Sequence, residues 1–287
     1  MKHFISAILK PGGSFRRNKT RPEEDDIDLK KELRNVQMTM LTVIGRGHSG
    51  TRAMSHTLSR SGVYMGSELN ISGDMLPPDD MYEACRIMAK YVKYEGNLRW
   101  DFSMLHTMPI DPEFVRLTES YLSDVVKCNA VHKGWKLPET ALVYPWIVRI
   151  FPDIKYIHLV RNPRDCIIGA HLTDDLADFG IPYDRTDDER LRRAISWKYQ
   201  RDIFKATPQP AHSIVVRFED FVLRQEETLA RLEQFLGFHL ERIPVRKDSI
   251  GRWKTDKVQN HFSFFEPEML ELGYLSCDGD DNDKKSK

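Results

Sequence analysis

Apolar residues in this chain fall into short β-branched runs that break into glycine or charge, with stretches of helical period between them. Met38 to Gly45, Val131 to Lys136, Ile154 to Val160 and His212 to Phe218 read as strands. The intervening pattern predicts helices over Ser49 to Gly62, near 80–94, over 112–127, over Pro138 to Phe151 with proline in the first turn, and over 163–172. Thr186-Asp-Asp-Glu189 reads as a capping box that opens a helix running to about residue 205. Gln225 to Leu236 is a helix closed by Gly237. Residues 66–80 are loop, and the Trp-bearing stretch 98–111 is irregular. Strands alternate with helices, so the expected fold is α/β, a parallel sheet wound by helices on both faces. Charged, glycine-bearing residues 1–36 read as a flexible arm, 37–275 as the domain, and 276–287 as a disordered tail.

Charge changes this picture by what it excludes. Among 287 residues, 43 basic and 43 acidic side chains cancel, so no global field draws nucleic acid or an anionic membrane. An anion site must therefore be local. No apolar run approaches the ~20 residues of a membrane-spanning helix, and no integral membrane segment is expected. The four cysteines, Cys85, Cys128, Cys166 and Cys277, are far apart and match no metal spacing. They read as reduced thiols of a cytoplasmic protein. The ten histidines form no His-x-x-x-His pair, so no metal site is expected.

Two segments carry the candidate chemistry. Val43-Ile-Gly-Arg-Gly-His-Ser-Gly-Thr-Arg52 places a glycine loop between a strand and a helix N-terminus, where backbone N–H groups and the helix dipole favour an anion. Gly45, Gly47 and Gly50 permit the turn, Ser49 and Thr51 add hydroxyls, and Arg46, His48 and Arg52 are candidate cations. The Gly-Lys-Ser/Thr of a Walker loop is absent. Tyr156-Ile-His-Leu-Val-Arg-Asn-Pro-Arg-Asp165 places Arg161 at a strand tip. A metal-dependent phosphotransferase usually carries a carboxylate there, whereas arginine binds a phosphate directly. An ion pair between Arg161 and Asp165 is the purely structural alternative. Lys136 ends a third strand, where it can neutralise a leaving phosphate or lie on the surface.

In these residues the chain resembles the sulfotransferases that use 3′-phosphoadenosine 5′-phosphosulfate. His48-Ser-Gly-Thr51 is similar to their 5′-phosphosulfate loop, and Phe151-Pro-Asp-Ile-Lys-Tyr-Ile-His-Leu-Val-Arg-Asn-Pro-Arg-Asp165 to their 3′-phosphate segment. Gly134-Trp-Lys-Leu-Pro138 resembles a strand end of bacterial members. Val216-Arg-Phe-Glu-Asp-Phe221 with the helix after it, and Arg246-Lys-Asp-Ser-Ile-Gly-Arg-Trp-Lys254, resemble two further family segments, the latter from cytosolic members. The likeness covers roughly residues 38–255 and implies a P-loop NTPase-like fold. It implies a donor gripped by 46–52 at one end and by Arg161, Gly169, Arg246 and Lys247 at the other. It also implies release of adenosine 3′,5′-bisphosphate, with no metal.

There are departures. His48 stands where the family prefers Lys or Arg, Gly169 where a serine usually meets the 3′-phosphate, and Asp248 where glycine follows Arg-Lys. The Lys-Thr-His that supplies a histidine base is absent. Glu68 lies where tyrosylprotein sulfotransferases carry their catalytic glutamate, and is the expected base; Asp74, His106 and His171 are the other candidates. Lys136 and His48 complete the expected catalytic set. The acceptor is expected to bear a hydroxyl, on a carbohydrate or polar small molecule. Its pocket is expected from 66–110 and 172–190, with Tyr82, Trp100 and Phe102. The competing functions are an ATP-dependent kinase and a non-catalytic nucleotide-binding protein.

Overall fold

The computed structural model describes residues 38–275. The arm expected at 1–36, the tail expected at 276–287 and Cys277 lie outside the described residues. In chain order the elements are β1 (Thr39–Ile44), α1 (Thr51–Arg60), α2 (Asp79–Ala89), β2 (Lys93–Gly96), β3 (Arg99–Asp101), α3 (Ser103–Thr107), α4 (Pro112–Lys127) and β4 (His132–Lys136). There follow α5 (Tyr144–Ile150), β5 (Lys155–Val160), α6 (Pro163–Cys166), α7 (Glu189–Ala206), β6 (Ser213–Arg217), α8 (Phe218–Leu223), α9 (Gln225–Leu236) and α10 (Glu266–Glu271).

Four strands form one parallel sheet in the order β4-β1-β5-β6. Its two faces are both covered, because the alternation of β1 feeds two cores. Met40 and Ile44 pack with Trp135, Tyr156 and Trp146 on one face. Leu41 and Val43 pack with Ile157, Val216, Leu58 and Leu232 on the other. Each such buried side chain contributes roughly 1.5–3 kcal/mol. Parallel strands all release their chains at one edge. Val43 pairs with Lys136 and Ile44 with His158, so the loop after β1, Lys136 and Arg161 leave the sheet side by side. The expected parallel α/β architecture is therefore present. Among the described residues no helix is long and apolar enough to cross a membrane.

The differences from expectation have local causes. The helix expected to residue 94 stops at Ala89, and β2 and β3 form a hairpin. Asn97 and Leu98 both hold positive φ, 52° and 55°, as a two-residue hairpin turn requires. Without a glycine at either position, the sequence carries little turn signal. Pro138 to Phe151 is a 3-10 turn over Pro138–Val143 followed by α5. Pro145 lacks the N–H that would continue a single ladder, and fits the first turn of a new helix. The helix expected over 163–172 ends at Cys166, where guanidinium groups take the carbonyls that helix bonds would have used. Arg46 bonds Cys166 O at 3.0 Å and Arg193 bonds Ile168 O at 2.9 Å. The cap of α7 is Asp188, whose carboxylate accepts from the N–H groups of Arg190 and Leu191, two residues later than the expected Thr186.

Candidate active site

The loop after β1 is shaped by close approach. At Gly50, φ is 99°, a left-handed value that disfavours a side chain. At Gly47 a Cβ would lie 2.0 Å from Cδ2 of His171, so the imidazole rests directly on the loop backbone. No side chain caps the N-terminus of α1, which leaves its first-turn N–H groups free to meet an anion. The Ser49 hydroxyl donates to Arg46 O at 2.6 Å and closes the turn. His48 also holds a positive φ, 68°, and its Nε2–H donates to Ala170 O at 2.9 Å. Desolvation, with Arg46 and Arg161 adding to it, lowers the pKa of His48 against the pull of Ala170 and Asp174.

A cleft of about 550 Å³ opens beside this loop. Gly47, His48, Gly50, Thr51 and Arg52 line it from the loop, and Ser72, Asp74, Lys136, Arg161 and His171 line it from elsewhere. Phe218, Val222, Ile243, Pro244 and Val245 form an apolar part, with Arg246 and Ser249 beside them. Three chain segments distant in sequence thus meet around one space, as the strand register dictates.

Lys136 is fully buried, and its ammonium donates to Ser72 O at 2.5 Å and pairs with the Asp74 carboxylate. Burial lowers its pKa, while Asp74 acts to restore it. Arg161 is buried across the cleft-lining set. It donates to His48 O at 2.9 Å and to Ser249 O, and lies 4.7 Å from the Phe218 ring centre. It also pairs with Asp165 at 3.4 Å. Asp165 in turn accepts the N–H groups of Gly251, at 2.8 Å, and Trp253, at 3.1 Å. The Arg161–Asp165 pair therefore fastens the 246–254 segment to the tip of β5.

Several candidates sit elsewhere than the sequence suggested. Arg46 is buried behind the loop, where it bonds Gly47 O and Cys166 O and pairs with Asp174. It supports the loop and is not among the cleft-lining residues. Gly169 is also outside the lining; a Cβ there would be 3.0 Å from the His48 ring, so the histidine occupies the space beside it. Lys247 is exposed and outside the lining, while Arg246 lines the cleft but pairs with Asp248. Glu68 is exposed on the loop arm whose carbonyl accepts from Leu76 N, and does not line the cleft. The carboxylate that does is Asp74, on the same loop, with Oδ2 accepting from Asn70 Nδ2 at 2.8 Å. His106 is half-buried beyond the cleft. Trp100 and Phe102 belong to the core, where both rings meet Tyr199.

One buried acid had no sequence signal beyond its place after Lys136-Leu-Pro138. Glu139 is 2 % exposed, with Oε2 bonded to no described residue. Burial, with Asp74 adding to it, pushes its carboxyl up to about 7, against a backbone hydrogen bond and Lys136, which both lower it. Among the described residues no group of three or more His, Cys, Asp or Glu is arranged to hold a metal.

One edge of the parallel sheet thus carries a glycine loop, an uncapped helix N-terminus and two buried cationic side chains, Lys136 and Arg161, around one cleft. The chain belongs to the sulfotransferase family, whose model matches residues 41–242. Over 128 residues it is 23% identical to a candidate protein-tyrosine sulfotransferase of Caenorhabditis briggsae. That alignment covers 45% of each protein, so the chain spans about half the length of the curated relative it matches. Among solved structures it is similar to the sulfotransferase domain from the curacin biosynthetic pathway, at 13% identity and a TM-score of 0.49, over 83% of this chain and 98% of that one. A second is the sulfotransferase domain of the Synechococcus PCC 7002 olefin synthase, also 13% identical with a TM-score of 0.49, over 84% of this chain and 96% of that one.

Proposed function

We propose that the protein moves a sulfuryl group from 3′-phosphoadenosine 5′-phosphosulfate to an acceptor hydroxyl, with Asp74 in place of Glu68 as the proton acceptor. The observation that carries this reading is the Lys136–Asp74 pair lining the same cleft as the glycine loop. An acid and a base are thereby held beside an anion cradle. The donor supplies a sulfuryl group already activated by its bond to a phosphate.

The loop N–H groups of 47–52, Thr51 and Arg52 suit the 5′ end of the donor, and the apolar patch at Phe218, Val222 and Ile243 suits a planar base. Arg161, Arg246 and Ser249 suit the 3′-phosphate. As the acceptor oxygen bonds to sulfur, the bond from sulfur to the 5′-phosphate oxygen breaks. Asp74 takes the acceptor proton. Lys136 stabilises the charge that gathers on the leaving oxygen. Ser72, His56 and His171, polar residues of the cleft, favour a carbohydrate or polar small-molecule hydroxyl as acceptor. The described cysteines are free thiols, which fits a reducing compartment.

The test is mass spectrometry of a panel of sugars, polar alcohols, phenols and a tyrosyl peptide, with the donor supplied. A gain of one sulfo group on a panel member supports the reading. Tight Mg²⁺-dependent binding of ATP, with no binding of adenosine 3′,5′-bisphosphate, would sink it.

A further inference from the structure

The half-buried imidazole of His171 has a fixed place and a fixed tautomer. It lies against the glycine loop so closely that a Cβ on Gly47 would be 2.4 Å from its Nε2. It lines the cleft together with Lys136 and Asp74. The Thr173 backbone N–H donates to Nδ1 at 3.2 Å, and Thr173 Oγ1 lies 3.0 Å from the same atom. A backbone N–H can only donate, so Nδ1 presents its lone pair and the proton of the neutral ring sits on Nε2. Nε2 is bonded to no described residue.

The backbone around the ring is held as firmly. The His171 N–H donates to Asp174 Oδ2 at 2.7 Å, and Asp174 also pairs with Arg46 and Arg193. The groups facing the ring are Arg46, His48 and Lys136. Desolvation first, and these cationic or basic neighbours next, hold its pKa down to about 3. A ring in this state has no lone pair free for an acceptor proton, because Nδ1 is engaged and Nε2 is protonated.

We propose that His171 is a catalytic hydrogen-bond donor, whose Nε2–H meets a non-bridging oxygen of the sulfuryl group during transfer. It is a donor, not a base. A neutral donor set on the loop backbone suits oxygens that carry charge through the transfer, and needs no reorganisation when the reaction occurs. The inference rests on the donor assignment above.

Nitrogen-15 labelling of the histidines gives a readout independent of turnover, with His171→Gln assigning the signal. The Nε2–H tautomer is expected, without titration between pH 5 and 8. Its resonance should move when 3′-phosphoadenosine 5′-phosphosulfate is added, and move much less with adenosine 3′,5′-bisphosphate, which lacks the sulfuryl group. His171→Phe should lower turnover on the best panel acceptor by ~10²–10³-fold, the usual loss for one such donor. His171→Gln, which keeps an N–H near Nε2, should recover to within about tenfold. Both variants should bind the bisphosphate like wild type and keep the wild-type pH profile. A titrating ring, equal shifts with the two nucleotides, or His171→Phe turnover near wild type would overturn the inference alone. A wild-type protein that fails to bind the bisphosphate would overturn the donor reading, and the inference with it.

Discussion

The ammonium of Lys136, at the end of β4, is bonded to the carboxylate of Asp74, 62 positions earlier in the chain. The pair ties the loop after α1 to the sheet edge and holds a carboxylate and an ammonium together at the cleft. The two members are both sheltered, with 1% and 14% side-chain exposure, so each compensates the other's charge. That coupling means that the stability effect of losing either group is separated from its chemical effect by substituting both together.

Asp74→Asn keeps the size of the side chain and removes the base. Its kcat is expected to fall ~10²–10⁴-fold, with adenosine 3′,5′-bisphosphate bound within a few-fold of wild type. Glu68→Gln, altered on the exposed loop arm, should turn over nearly normally. The reverse pattern in steady-state kinetics would return the role to Glu68.

Lys136→Ala should lower kcat by on the order of 10²-fold or more. It should also destabilise the fold by roughly 3–5 kcal/mol, because Asp74 is left without its partner. The double variant Lys136→Met/Asp74→Leu should recover much of that stability in a denaturant melt while remaining inactive. Restored activity in the double variant would show that neither group takes part in chemistry.

Arg161 is expected to carry the preference for a 3′-phosphate. Adenosine 3′,5′-bisphosphate should bind at least ~30-fold more tightly than adenosine 5′-monophosphate, with or without Mg²⁺, since one charge-assisted contact is worth about 1.5–3 kcal/mol. Arg161→Ala should remove most of that preference in calorimetric titration. Because Arg161 also bonds His48 O and Ser249 O, faster amide exchange at 246–254 should accompany the loss. Equal affinity of the wild-type protein for the two nucleotides counts directly against the assignment.

Glu139 predicts a pH dependence of stability. Its folded pKa, about 7, lies above the ordinary glutamate value of 4.5 because burial disfavours the charged form. Between those values the folded state holds more protons than the unfolded state, so stability falls as pH rises through the window and levels off above it. Glu139→Gln removes this dependence. The variant should gain on wild type from pH 5 to pH 7, by about 3 kcal/mol at most, with a constant difference beyond. Thermal melts at pH 5, 6, 7 and 8 measure the gap; a gap that does not change with pH would place Glu139 in a charged, compensated state throughout.

The sequence by itself determined the parallel α/β architecture, because continuous apolar strands alternating with amphipathic helices leave few other arrangements. It also placed the glycine loop, Lys136 and Arg161 at strand ends, since each follows directly from where an apolar run stops. What it left open were distances between segments remote in the chain. Register decided that Val43 stands beside Lys136, and the loop after α1 decided that Asp74, not Glu68, reaches that lysine. Both acids lie in one polar stretch, and nothing in a one-dimensional pattern distinguishes the arm facing the cleft from the arm facing water. Arg46 shows the same limit, since a charge within a glycine loop reads as a ligand cation until a buried Asp174 is found to hold it. His171 is the sharpest case. Its tautomer follows from one backbone N–H two residues on, and its position from a glycine 124 residues before it. Local patterning specifies elements because it acts through neighbouring residues; proton positions, burial and pairing across the sheet edge arise only when the packed chain brings distant groups together.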